Sequence, residues 1–165
     1  MQEARVRRMA SGDIEGALQL TESVAAERIW IGTEPGFDRE RYASRWRIRI
    51  NESSSAVLVA TVGDRVVGFR DVYPNAEHGQ LLGMFVDKDF RGRGIGTQLL
   101  NGLVDWARER GLPSISLHVF THNDRAIALY KSAGFTEIAR VPDHSMRRSG
   151  EVWEAILMTK DLSRQ

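Results

Sequence analysis

The chain predicts an α/β fold, a mixed α+β sheet with helices on both faces, and three observations carry that prediction. Strand-like and helix-like patterns succeed one another through all 165 residues without an internal repeat or a low-complexity linker. Two strand-like runs, 53–62 and 65–73, meet at Gly63-Asp64, a good hairpin turn. A third apolar run, 80–87, leads through a glycine-rich turn into a helical pattern.

Residues 3–9 alternate weakly and read as the first strand. Ser11 is the expected N-cap of a helix reaching about Glu27, with Asp13 and Glu15 in its first turn. The stretch 28–38 holds Trp30, Gly32, Pro35, Gly36 and Phe37, which predicts a loop carrying aromatics. A second helix follows from about Asp38, its expected cap, to Ile50, with Tyr42, Trp46 and Ile50 four apart. After the hairpin, 74–79 turns into the strand 80–87. The helix 94–110 shows Ile95, Leu99, Leu103 and Ala107 at a spacing of four, and Gly111 and Pro113 stop it. Residues 115–120 read as a strand and 124–132 as a short helix ended by Gly134. Strands at 135–141 and 152–159 close the chain around a polar connection, 142–150. The order is β-α-α-β-β-β-α-β-α-β-β.

At 165 residues the chain fits one domain, 1–165, large enough for a sizeable core. The sequence has no cysteine, which excludes disulfides, a thiolate nucleophile and a cysteine zinc site. Its four histidines are not at ligand spacings, so no metal is expected. A net charge of +1 argues against an electrostatically driven nucleic-acid binder. The arginine clusters at 5–8, 39–49 and 147–148 read as solvated faces. The start lacks an apolar signal core and no apolar run approaches membrane-spanning length, so a soluble, cytoplasmic protein with no membrane partner is expected.

The glycine-rich turn is Arg91-Gly92-Arg93-Gly94-Ile95-Gly96. A strand, such a turn and a helix start gather free backbone N–H groups, and the helix dipole adds partial positive charge there. The segment therefore suits a phosphate. A dinucleotide fingerprint fails because counting from Gly92 the last position is Thr97, and no Gly-Lys-Ser/Thr follows for a P-loop. What remains is Arg-x-x-Gly-x-Gly. On the hexapeptide alone, an arginine-rich loop that merely caps a helix stays open as well.

Downstream lies Asn123-Asp124-Arg125-Ala126-Ile127-Ala128-Leu129-Tyr130-Lys131-Ser132-Ala133-Gly134-Phe135. With the glycine turn, this segment resembles the GNAT superfamily of acetyl-CoA-dependent N-acetyltransferases. The family motifs Arg/Gln-x-x-Gly-x-Gly/Ala and Asn-x-x-Ala-x-x-Leu-Tyr-x-x-x-Gly-Phe are matched at each defining position, in the family's order. The resemblance covers roughly 3–160 and is most specific over 80–136. It implies a GNAT-like fold with splayed central strands.

The resemblance also implies roles. Main-chain groups of Met84, Phe85 and Val86 pair with the pantetheine arm of acetyl-CoA, which needs this strand to part from 115–120. Gly83 fits a bulge at that place, or a plain packing defect. The backbone from Arg91 through Gly92, Arg93, Gly94 and Ile95 to Gly96 holds the pyrophosphate. Asn123 hydrogen-bonds the cofactor arm, with helix capping as its ordinary alternative. Tyr130 is the general acid that protonates the departing thiolate, with a packed aromatic as the alternative. Many relatives carry a glutamate where Gln80 stands here, and an amide cannot take a proton from an ammonium. Glu34, Glu77 and His78 are the candidates to assist, Glu34 foremost, since the amine must be neutral before attack.

The acceptor implied is a primary amine, of a small molecule such as an amino acid. Trp30, Glu34 and Phe37 would wall its site, and Arg147, Arg148 or His144 would bind a carboxylate. A protein acetyltransferase acting on an N-terminal amine or lysine, and a non-catalytic acyl-CoA-binding module, are the alternatives. The family often dimerises, so a homodimer is allowed.

Overall fold

A computed structural model describes residues 2–74 and 79–163, with the main chain alone described at 73–74 and 79–82. Seven strands form one sheet in the order β1-β2-β3-β4-β5-β7-β6. They are β1 (Arg5–Arg8), β2 (Ala56–Val62), β3 (Arg65–Pro74), β4 (Gly79–Val86), β5 (Ser114–Phe120), β6 (Thr136–Met146) and β7 (Val152–Asp161). Neighbours run antiparallel except β4 and β5, which are parallel. The helices are α1 (Ile14–Ala26), α2 (Arg39–Asn51), α3 (Ile95–Glu109) and α4 (Asp124–Ser132). No helix among the described residues is long and apolar enough to cross a membrane.

Period-two alternation sorts side chains to two cores, one on each face of the sheet. Leu58, Val67, Ile115 and Leu117 meet the α3 stripe of Ile95, Leu99 and Leu103, with Tyr130 and Phe135 in the same cluster. Val57, Val59, Val66 and Phe69 meet Ala17, Val24 and Trp46 of α1 and α2 on the other face. Leu99, Leu100 and Leu103 are fully buried, which ties α3 to the sheet by roughly 1.5–3 kcal/mol per side chain.

Two local expectations are corrected. Ser11 does not cap α1; it opens a 3₁₀ turn, Ser11–Asp13. Asp13 is the residue that holds this corner, accepting from the Ala10 N–H at 2.8 Å and from both Arg7 guanidinium nitrogens at 2.6 and 2.9 Å. A carboxylate with two charged donors outcompetes a serine hydroxyl there. The polar connection 142–150 is also shorter than expected, because β6 runs on to Met146. Pro142, which has no N–H to give a ladder, sits in a register shift between Val141 and Ser145, and pairing resumes with Ser145 opposite Trp153.

Candidate active site

The site begins where β4 stops pairing. β4 and β5 are matched only over Gly79–Leu81 against Ile115–Leu117, so the β5-facing edge of 82–86 has no neighbouring strand among the described residues. The cause lies on the other edge of β4. Arg70 pairs with Met84 and Val72 with Leu81, so residues 82 and 83 oppose Asp71 alone. Gly83 thus sits in a bulge, which turns the strand away from β5 as the parting requires.

The gap leads into a cleft of about 300 Å³, open to solvent, whose walls include Met84, Phe85, Val86, Gly94, Gly96 and Asn123. Arg91, Gly92 and Ile95 also line it, whereas Arg93 and Tyr130 do not. Arg93 donates to the Asp89 carbonyl at 3.0 Å and lies over the Phe90 ring. Gly92 and Gly94 take φ of +76° and +78°, a left-handed conformation that L side chains avoid, and Gly94 is the residue from which α3 starts. The first intrahelical bond of α3 is Gln98 N–H to the Gly94 carbonyl, so the N–H groups before it are free for an anion. Arg125 of α4 lines the same cleft, and its Nη2 lies 3.2 Å from where a Gly92 Cβ would stand.

The Arg91 side chain faces inward. Its Nη1 and Nη2 donate to Glu27 Oε2 and Oε1 at 2.9 and 2.7 Å, and its Nε donates to the Val86 carbonyl at 2.9 Å. Glu27 also accepts from Trp30 Nε1 at 2.8 Å. The Arg91 guanidinium beside Glu27 holds that carboxyl below its ordinary value, against the opposing effect of burial. Trp30, expected as an acceptor wall, is thereby fixed on the cleft instead.

Asn123 Oδ1 accepts from the Ala126 N–H at 3.3 Å, so this residue caps α4 and lines the cleft at once. Tyr130 is 6% exposed, packs against Phe135 and points its hydroxyl at Arg70, whose Nη1 is 3.4 Å away. It lies behind Met84 and Leu129, which face the cleft.

On the opposite face of the sheet, His118 of β5 stacks on His144 with ring centroids 4.5 Å apart. Burial lowers the His118 imidazole below its ordinary value, and His144 lowers it further. Phe120, His122 and Trp153 continue this aromatic wall. The loop after α1 closes on it: Arg147 Nη1 donates to the Gly32 carbonyl at 2.8 Å, and Glu34 accepts from the Arg148 N–H at 3.0 Å. Glu34 also lies 3.9 Å from the guanidinium of each arginine. Arg147 is buried with its guanidinium over Trp153 at 3.9 Å, so the arginines expected to bind a substrate carboxylate instead hold the loop. Phe37 packs at a tilt against Tyr42 beside the α1–α2 core, both partly buried. Neither Glu34 nor His118 reaches the cleft lining, Glu77 and His78 lie outside the described residues, and so does the Gln80 side chain.

The profile of the acetyltransferase (GNAT) family matches residues 19–135. The chain belongs to that family. It is 35% identical over 115 residues to an uncharacterized N-acetyltransferase of Methanocaldococcus jannaschii, covering 62% of this chain and 51% of the relative. The chain spans about half the length of the curated relatives it matches. A ribosomal-protein-alanine N-acetyltransferase from Brucella melitensis superposes with a TM-score of 0.84 at 26% identity, covering 95% of this chain and 99% of that one. A Salmonella typhimurium structure that holds acetyl-CoA superposes with a TM-score of 0.85 at 20% identity, covering 99% of this chain and 96% of that one.

Within this GNAT fold the residues present fit acetyl-CoA on their own geometry. The left-handed glycines and the free α3 N–H groups suit a pyrophosphate, with Arg125 beside them as a cation. The unpaired β4 edge suits an extended, amide-bearing arm. Four residues escaped the sequence reading. Glu27, Arg70, Arg125 and His118 belong to no motif position used there, and only the Asn-x-x-Ala spacing, which contains Arg125, held any signal for one of them.

Proposed function

We propose that this protein is an acetyl-CoA-dependent N-acetyltransferase whose acceptor is the primary amine of a small molecule. The observation that carries the reading is the parting of β4 from β5 beside the phosphate cradle, with Tyr130 on one face and His118 on the other. Leu117 and Val119 pack in the cluster that holds Tyr130, so alternation sends His118 to the opposite side of the sheet. An acid and a base on opposite sides of a thioester suit acyl transfer to an amine.

Acetyl-CoA supplies an activated acetyl group as a thioester. The cradle from Gly92 to Gly96, with Arg125, holds its phosphates, and Met84 and Phe85 present main-chain groups to its arm. The Val86 carbonyl already accepts from Arg91. Asn123 orients the arm from the start of α4. Tyr130 gives its proton to the departing sulfur. His118, whose neutral form burial and His144 favour, accepts a proton from the amine; Glu34, paired with two arginines, serves the loop.

The tie between the 29–37 loop and the β6–β7 turn favours a small acceptor over a broad protein segment. The likeness to a ribosomal-protein-alanine acetyltransferase favours a second reading, an N-terminal amine of a protein. Thiol release from acetyl-CoA, measured over free amino acids, polyamines and alanine-starting peptides, tests both. Release with amino acids or polyamines supports the first reading, and release with peptides alone supports the second. In the same assay Tyr130→Phe lowers turnover by roughly ten- to a thousandfold with acetyl-CoA affinity nearly intact. Acetyl-CoA binding without release on any acceptor sinks both readings.

A further inference from the structure

We propose that Arg70 is a positioning and charge-stabilising residue for Tyr130 during acetyl transfer, an inference that rests on the function proposed above. Arg70 is 0% exposed, in the middle of β3. An arginine cannot discharge itself by losing a proton, so burial leaves a full cation inside the fold. Its Nη1 meets Met84 Sδ at 2.8 Å and Tyr130 Oη at 3.4 Å, one a weak acceptor and the other distant. Among the described residues, Nε and Nη2 have no hydrogen-bond partner at all.

A buried cation in that state is unfavourable, and an apolar side chain of similar length would pack at less cost. The nearest acidic group in sequence, Asp71, accepts a hydrogen bond from Arg49, and its charge is shared among Arg49, Arg45 and Arg70. Among the described residues, Arg70 therefore has no carboxylate in hydrogen-bond contact in the resting protein. The contact with Met84, which lines the cleft, places the guanidinium directly behind the cleft wall.

The reaction creates an anion in direct contact with this guanidinium. As the amine nitrogen bonds to the acetyl carbon, the carbon–sulfur bond breaks and its electron pair goes to sulfur. Tyr130 Oη passes its proton to that sulfur, and the negative charge comes to rest on Oη, beside Arg70 Nη1. The proton lost by the amine leaves through His118 to solvent, and Tyr130 takes one back from solvent, so the reaction is balanced. A preformed cation aimed at charge that exists only during the reaction accelerates it without tightening ground-state binding.

The test compares Arg70→Met, Arg70→Lys, Tyr130→Phe and the Arg70→Met/Tyr130→Phe pair with the parent protein. We expect Arg70→Met to melt at or above the parent temperature and to bind acetyl-CoA within about threefold. Its kcat falls roughly 30- to 100-fold and its solvent deuterium isotope effect rises, because proton donation becomes harder. Arg70→Lys restores part of the rate, and the double variant is no slower than Tyr130→Phe. An unchanged kcat in Arg70→Met, losses that multiply in the pair, or a lowered melting temperature with weakened acetyl-CoA binding would overturn the proposal. Slow hydrolysis of acetyl-CoA without an amine is followed in parallel, since it needs the same sulfur protonation. A missing acceptor then sinks the functional reading alone, whereas full activity of Arg70→Met beside an impaired Tyr130→Phe sinks this inference alone.

Discussion

The Arg91 guanidinium forks onto the Glu27 carboxylate with both nitrogens within 2.9 Å, joining the end of α1 to the start of the phosphate cradle. The motif arginine therefore braces the turn from inside, and its charge is matched before any ligand arrives. Glu27→Ala releases the brace and the Trp30 indole together. We expect acetyl-CoA affinity to fall about tenfold, or about 1.4 kcal/mol, with kcat changed less. Calorimetric titration of Glu27→Ala, Arg91→Ala and the double variant checks this, and the two losses do not add.

The same pair makes stability depend on pH. Glu27 releases its proton more readily folded than unfolded, so its contribution is fully present above the ordinary glutamate value of about 4.3. It is lost as pH falls through the lower folded value. Glu27→Gln should flatten the melting-temperature curve on the acid side of that value. Both side chains keep about a fifth of their surface exposed, so the effect is modest, about 1 kcal/mol at most.

Among the described residues, Arg125 is the cleft-lining guanidinium that makes no pairing like that of Arg91 with Glu27. Replacement by alanine weakens acetyl-CoA binding about five- to tenfold and lowers its salt dependence, while Arg91→Ala leaves that salt dependence unchanged. Binding isotherms at two ionic strengths separate the two arginines.

If His118 takes the amine proton as proposed, we expect it to set the acid limb of the rate. Burial and His144 both favour its neutral form, so activity persists below the ordinary imidazole value of about 6.5 and falls only as pH drops further. Taking away His144 with glutamine moves this limb upward, and His118→Gln removes it. A kcat/KM profile with one acceptor throughout supplies the measurement.

Glu34 and Arg148 tie the loop to the closing hairpin, so Glu34→Gln alters acceptor handling rather than proton transfer. We expect the acceptor KM to rise about threefold, with kcat and acetyl-CoA affinity within twofold, in line with weakening of a partly exposed ion pair. A hundredfold fall in kcat would return Glu34 to the role of base.

What was legible in the chain follows from local chemistry. Asp38 caps α2 as expected, and Asn123 caps α4 in the role that stood as its alternative, because a side-chain oxygen two or three residues before free N–H groups finds a donor there. Gly94 marks the left-handed start of α3, because L side chains avoid its φ of +78°, and Gly83 falls in the bulge although its backbone would admit a side chain. Ser11 misled because its competitor, Asp13, drew on Arg7 from the preceding strand. Pro142 misled because a strand can bulge around a missing donor and continue.

The sequence by itself determined the elements, their order and the cradle with its downstream Asn123, Tyr130 and Gly134-Phe135. Glycine φ, caps and apolar periodicity act within a few residues, so they survive without a fold. Tertiary structure decided the company of the long charged side chains. Arg91 reaches Glu27 across 64 positions, Arg70 reaches Tyr130 across 60, and Arg147 reaches Gly32 across 115. An arginine has many rotamers and no periodic signature, and only packing selects the carboxylate, carbonyl or hydroxyl that it meets.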